Sequence, residues 1–155
     1  MTACSADPIA AEHDRLRVAR GHGGPLAHEG TELGPLQNKM QYDKVVDLIR
    51  DTKKAGAKFL AGGEIPAGPG YFLPPTLVTD VADDSRLVQE EQFGPIVPIL
   101  KFSDVDDAVR RANDTRYGLS GSVWTKDLAR GTEIAARLEV GTAWVNQHRT
   151  TSAFV

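Results

Sequence analysis

Glu90-Glu91-Gln92-Phe93-Gly94-Pro95 decides the reading of this chain. Two carboxylates, an aromatic ring and a Gly-Pro corner stand directly before an apolar run, Ile96–Phe102. A corner of this composition can hold a carboxylate and a ring at fixed spacing beside a ligand. Taken alone, the run reads more simply as a solvated acidic pair next to a core phenylalanine, because exposed charges and single buried rings are ordinary. No cysteine lies near it: the single cysteine is Cys4.

Working outward, the pattern alternates strands with helices. Upstream, Gly34, Pro35 and Asn38 lead into a helix over about 39–55, whose apolar face carries Met40, Val45, Leu48 and Ile49 and which Gly56 ends. Lys58-Phe59-Leu60-Ala61 is a short strand stopped by Gly62-Gly63. Tyr71-Phe72-Leu73 and Thr76-Leu77-Val78 read as extended, and Pro74-Pro75 between them predicts an edge or irregular position. Downstream of the corner come a strand over 96–102 and a helix over 104–113 capped by Ser103 or Asp104. A strand over 119–124, a helix over 127–138 burying Leu128, Ile134, Ala135 and Leu138, and a strand over 142–145 complete the pattern. The fold class expected is α/β, with parallel pairing in a partial three-layer sheet with flanking helices.

Bulk properties narrow the function classes. The 155 residues are 41% hydrophobic and 25% charged, with a formal charge of −3. That balance gives no long-range attraction for nucleic acid or an anionic membrane. No apolar run approaches the ~20 residues of a spanning helix. A lone cysteine cannot form an internal disulfide, which makes a reducing, cytoplasmic setting the expectation. Residues 1–33 hold three of the four histidines and a breaker cluster, Gly21-His22-Gly23-Gly24-Pro25, and are read as a loose tail. The spacing of His13, His22 and His28 fits no zinc pattern, so no metal site is expected.

The motifs taken together resemble one family. Gly34-Pro35-Leu36, Gln41-Tyr42-Asp43-Lys44, Gly70-Tyr71-Phe72, the Glu90–Pro95 run, Arg111-Ala112-Asn113-Asp114-Thr115, Tyr117-Gly118-Leu119 and Gly141-Thr142-Ala143-Trp144-Val145-Asn146 stand in one order. Over about residues 31–148 they resemble the later part of the catalytic domain of the NAD(P)-dependent aldehyde dehydrogenases. One such motif is weak evidence; several in order are specific.

The resemblance implies roles for four residues. Glu91 matches the glutamate that holds the nicotinamide ribose hydroxyls, and Phe93 the aromatic packed near the nicotinamide. Gln41 and Lys44 match contacts to the adenosine-side ribose. The chemistry suits: a carboxylate accepts two O–H bonds from a diol, a ring bounds a pocket, and an amide and an ammonium three residues apart share one helix face. Without the resemblance, Gln41 and Lys44 are two ordinary polar residues on an exposed helix.

The same resemblance implies what these residues do not carry. Aldehyde oxidation needs a thiolate, a base and a bound nicotinamide. In the family the cysteine and the base glutamate lie upstream of the position of Gly34, and Cys4 has none of the family's residues around it. No Gly-x-Gly-x-x-Gly follows a strand, and Gly21-x-Gly23-Gly24 is preceded by none. After Asn146 the family continues into a Pro-Phe-Gly-Gly pattern, whereas 149–155 read differently. The expectation is a tail over 1–33, a partial catalytic domain over 34–148 and an unmatched end over 149–155, as a disrupted or partial reading frame would give. It is an oxidoreductase by lineage with NAD or NADP as cofactor, no catalytic residue of its own and no turnover alone. The partners expected are a complementary dehydrogenase chain or further copies of itself; the alternatives are a completing subunit or a non-catalytic protein-interaction module.

Overall fold

The computed structural model describes the backbone of Ala3–Cys4 and residues 33–148. The chain divides into two compact units, one up to Phe102 and one from Ser103.

The first unit is built on a helix, α1 (Lys39–Lys54). The Asn38 side chain caps it by accepting from the Gln41 N–H at 2.9 Å, which satisfies one of the free first-turn donors. Ala55 closes it, and Gly56 turns the chain away at φ +81, a conformation that only glycine adopts without strain. The buried face is Val45, Val46, Leu48, Ile49 and Thr52. Met40, expected on that face, is 75% exposed: it sits in the first turn, short of the sheet that the later turns cover.

That sheet has four strands: β1 (Ala3–Cys4), β2 (Lys58–Ala61), β3 (Thr76–Thr79) and β4 (Ile96–Leu100), ordered β1-β4-β3-β2. β3–β4 and β1–β4 are parallel, as expected, while β2 and β3 depart from that expectation and pair antiparallel, with an irregularity between Phe59 and Ala61. A short helix, α2 (Arg86–Gln89), precedes the corner and sends Leu87 into the core. Val45, Val46 and Ile49 of α1 meet Leu73, Val78, Leu87 and Ile96 there. Fully burying each such side chain stabilises the unit by roughly 1.5–3 kcal/mol.

Two expectations change here. Residues 1–33 do not read uniformly as a tail, because Ala3–Cys4 pair with Ile99 and Leu100; the remainder of that stretch, apart from Leu33, lies outside the described residues. The segment after Pro74-Pro75 is neither an edge nor irregular: β3 lies between β2 and β4 with all four residues buried. The prolines stop just short of the ladder, whose first bond runs from the Thr76 N–H to the Pro95 carbonyl at 2.7 Å. Pro98, by contrast, sits inside β4. Side-by-side parallel strands use alternate residues toward each flank. Since Pro95 faces β3, so do Val97 and Ile99, and the donor that Pro98 lacks belongs to the opposite flank.

The second unit contains α3 (Val105–Asn113), β5 (Ser120–Val123), α4 (Leu128–Ala135) and β6 (Thr142–Val145). Asp104 caps α3 by accepting from the Asp106 N–H at 2.7 Å, and Asp127 caps α4 by accepting from the Arg130 N–H at 3.0 Å. β5 and β6 pair parallel, Ser120 to Thr142 through Val123 to Val145, with α4 as the crossover such a pair requires. A Cβ at Gly131 would stand 2.7 Å from Thr125 Cγ2 and 2.8 Å from Val145 Cγ1, which shows how closely α4 seats. α4 is shorter than expected, and Leu128 at its first turn is 62% exposed, while Ala135 is buried. Two asparagines from the quoted motifs act as clasps. Asn146, at φ +54, accepts from the Thr125 N–H at 2.8 Å and donates to the Thr125 carbonyl at 2.7 Å. Asn113 donates to the Arg137 carbonyl at 2.9 Å and accepts from the Glu139 N–H at 3.0 Å.

Candidate active-site corner

The corner 90–95 leaves α2 and enters β4, so a helix and a central strand fix its two ends. Its two glutamates differ in kind. Glu90 Oε1 accepts from Arg86 Nε at 2.8 Å, and Arg86 also donates to Asp47 Oδ2 of α1 at 2.9 Å. These bonds, that to Glu90 first, raise the Arg86 guanidinium further above its ordinary range and keep it a cation. Arg86 thereby brackets α2 to α1, and Glu90 is the carboxylate it holds. Glu91 is exposed, and among the described residues no hydrogen bond ties down its carboxylate.

The residues after it are held tightly. Gln92 is buried, and its amide donates to the Leu87 carbonyl. Phe93 has φ +47, the left-handed region, where a non-glycine residue costs about 1–2 kcal/mol. Its ring is nonetheless 69% exposed, so the sequence's alternative of a core phenylalanine does not hold. Gly94 packs directly on α1: a Cβ there would stand 2.5 Å from Val45 Cγ2.

Gln41 and Lys44 reach this corner from α1. Gln41 Nε2 donates to the Gln92 carbonyl at 2.6 Å, and Lys44 Nζ donates to the Glu91 carbonyl at 2.6 Å. The structure therefore brings together all four residues singled out from the sequence, in one unit. Sequence reasoning missed Arg86, Gln92 and Gly94. The i, i+4 spacing of Arg86 and Glu90 was a usable signal for the first. The other two depend on contacts across the fold.

Residues 9–154 match the profile of the aldehyde dehydrogenase family. The chain belongs to that family. Aldehyde dehydrogenase 1A1 of Oryctolagus cuniculus is 45% identical over 133 residues, 86% of this chain and 27% of that protein. The betaine aldehyde dehydrogenase of Brucella anthropi is 44% identical, covering 83% of this chain and 27% of its own length. Among solved structures, the NAD+ complex of an aldehyde dehydrogenase from Bacillus cereus superposes with a TM-score of 0.87 at 37% identity, over 94% of this chain and 30% of that one. The chain thus spans about a quarter of the length of these relatives. The profile match reaches beyond both ends of the stretch carrying the quoted motifs. The fold is that of part of an aldehyde dehydrogenase catalytic domain.

As a donor set, the aldehyde dehydrogenase corner fits a nicotinamide riboside: an exposed carboxylate to accept from a diol, an exposed ring two residues on, and a backbone held from behind by two side chains. No group of three or more His, Cys, Asp or Glu able to hold a metal occurs among the described residues. No helix among them is long and apolar enough to cross a membrane.

Proposed function

We infer that these residues form the nicotinamide-ribose wall of an NAD(P)+-dependent aldehyde dehydrogenase, an oxidoreductase converting aldehyde to carboxylic acid. Glu91 accepts the ribose hydroxyls, Phe93 bounds the nicotinamide, and Gln41 and Lys44 face the adenosine-side ribose. The observation that carries the reading is the division of labour between the glutamates: Arg86 holds Glu90, and Glu91 is left exposed beside an exposed Phe93. The nicotinamide, when bound, supplies the hydride acceptor. This chain's part is to bind and orient it, and the thiolate and the base come from elsewhere. On this reading the 155 residues alone do not turn over, and they act, in the cytoplasm, with a complementary dehydrogenase chain or further copies of themselves. In support of a partner, the second unit exposes Leu119, Trp124 and Leu128.

The test has two parts. The purified chain, incubated with NAD+ or NADP+ and a panel of aldehydes, gives no turnover; clear turnover that survives Cys4→Ala overturns the reading. In amide NMR titrations, nicotinamide mononucleotide moves the Glu91 and Phe93 resonances, Glu91→Gln abolishes the response, and Glu90→Gln leaves it in place. Equal loss in both variants removes the role assigned to Glu91.

A further inference from the structure

The geometry points to Gln41 and Lys44 as positioning residues that hold the Glu91–Phe93 corner from behind, through its backbone carbonyls, in addition to any ligand they face. This inference rests on the reading of the corner as a nicotinamide-ribose wall, but it is decided by observations of its own.

A left-handed phenylalanine persists only where its surroundings over-determine it. Phe93 at φ +47 is followed by Gly94, which packs on Val45, and preceded by two peptide carbonyls that each receive a side-chain donor from α1. Gln41 Nε2 takes the Gln92 carbonyl and Lys44 Nζ the Glu91 carbonyl, both at 2.6 Å. The two donors lie three residues apart on α1, so they share a face. Asn38 caps α1 at Gln41 itself, which ties the start of the helix to the same register. The Gln92 side chain cannot join its neighbours at the ligand face, because it is buried and spent on the Leu87 carbonyl. The outcome is a division across one short segment. Its carbonyls and one amide face the protein, while the Glu91 carboxylate and the Phe93 ring remain exposed. Removing either donor leaves the left-handed residue with less to hold it.

The experiment uses the 155-residue chain, isotope-labelled, with Gln41→Leu, Lys44→Met and Lys44→Arg. Nicotinamide mononucleotide probes the nicotinamide-side sugar and adenosine monophosphate the other. In the wild type, a through-bond correlation joins the Gln41 side-chain nitrogen to the Gln92 carbonyl carbon. Lys44→Met shifts the Glu91 carbonyl carbon and the Phe93 ring resonances and weakens nicotinamide mononucleotide about tenfold, the scale of one charge-assisted bond. Gln41→Leu gives a smaller loss of the same kind. Lys44→Arg, which keeps a donor, restores both signals, as a general packing role would not require. If Lys44→Met and Gln41→Leu leave the Phe93 resonances in place and weaken only adenosine monophosphate, the two residues are ligands and the inference fails. If nicotinamide mononucleotide moves no corner resonance in the wild type, the functional reading fails instead, and the Phe93 shifts in the variants still decide the positioning role.

Discussion

Gly94→Ala tests whether the corner is seated on α1 as tightly as the structure shows. The added Cβ would lie 2.5 Å from Val45 Cγ2 and 3.3 Å from Cγ1, whereas ordinary contact begins at 3.4 Å. Val45 cannot yield easily. It is fully buried, and its branched side chain on a helix has one strongly preferred rotamer. The clash is therefore relieved by moving the corner off α1, at the expense of the 2.6 Å bonds from Gln41 and Lys44. Overpacking of this kind costs about 1–3 kcal/mol. Val45→Ala alone removes buried methyl groups and costs about 2 kcal/mol. The double variant should be more stable than the two losses added together, by about 1 kcal/mol or more, because the small residue at 45 opens the space that the new methyl needs. Urea unfolding followed by far-UV circular dichroism measures all four corners of the cycle. Both tryptophans, Trp124 and Trp144, lie beyond Ser103, so their fluorescence reports the second unit and serves as the internal control. A Gly94→Ala variant within about 0.5 kcal/mol of the parent, or strict additivity with Val45→Ala, would refute the tight seating and the argument built on it.

Two further outcomes follow from buried and strained groups. Thr76 is 1% exposed; its hydroxyl accepts from the Gly63 N–H and donates to the Pro74 carbonyl, both at 2.9 Å. Thr76→Val, which keeps the γ-methyl and loses both bonds, should cost about 1–3 kcal/mol in urea unfolding, more than Thr76→Ser, which keeps both bonds and loses the methyl; a Thr76→Val loss no larger than that of Thr76→Ser would show that the two bonds do not hold the segment. In the second unit, Asn146→Ala removes the clasp on Thr125 and leaves alanine in the left-handed region, so tryptophan-monitored unfolding should fall by about 2 kcal/mol. Asn146→Gly tolerates the backbone and should fall less; the reverse order would show that φ does not matter there.

Much of the framework was legible because local signals agreed. Asn38 and Gly56 bracket α1, Asp104 and Asp127 cap their helices, and the apolar runs at 58–61, 96–100 and 142–145 became strands. The candidate residues were legible only through several motifs in order; no periodicity distinguishes Glu91 from Glu90. What stayed hidden depends on partners distant in sequence. Two prolines suggested an edge, yet β3 is central, because a proline matters to a ladder only at the bond it should donate. Met40 and Leu128 fit the helical pattern but lie in first turns beyond the reach of the packed face. The four-residue α2 is too short to show a period. The donations from Gln41 and Lys44 to backbone carbonyls could not be read from residue type, since a carbonyl has no signature in sequence.

Pro98 limits the pairing that one flank of β4 can offer. Its missing donor faces the flank where, among the described residues, β1 joins β4 at Ile99 and Leu100, and a strand paired further along that flank would find no N–H at Pro98. Stray edges are what lets sheets of different molecules zip together. One imino acid, placed where the inner ladder does not feel it, makes this margin a poor template for a foreign strand while leaving the core pairing of β3 and β4 whole.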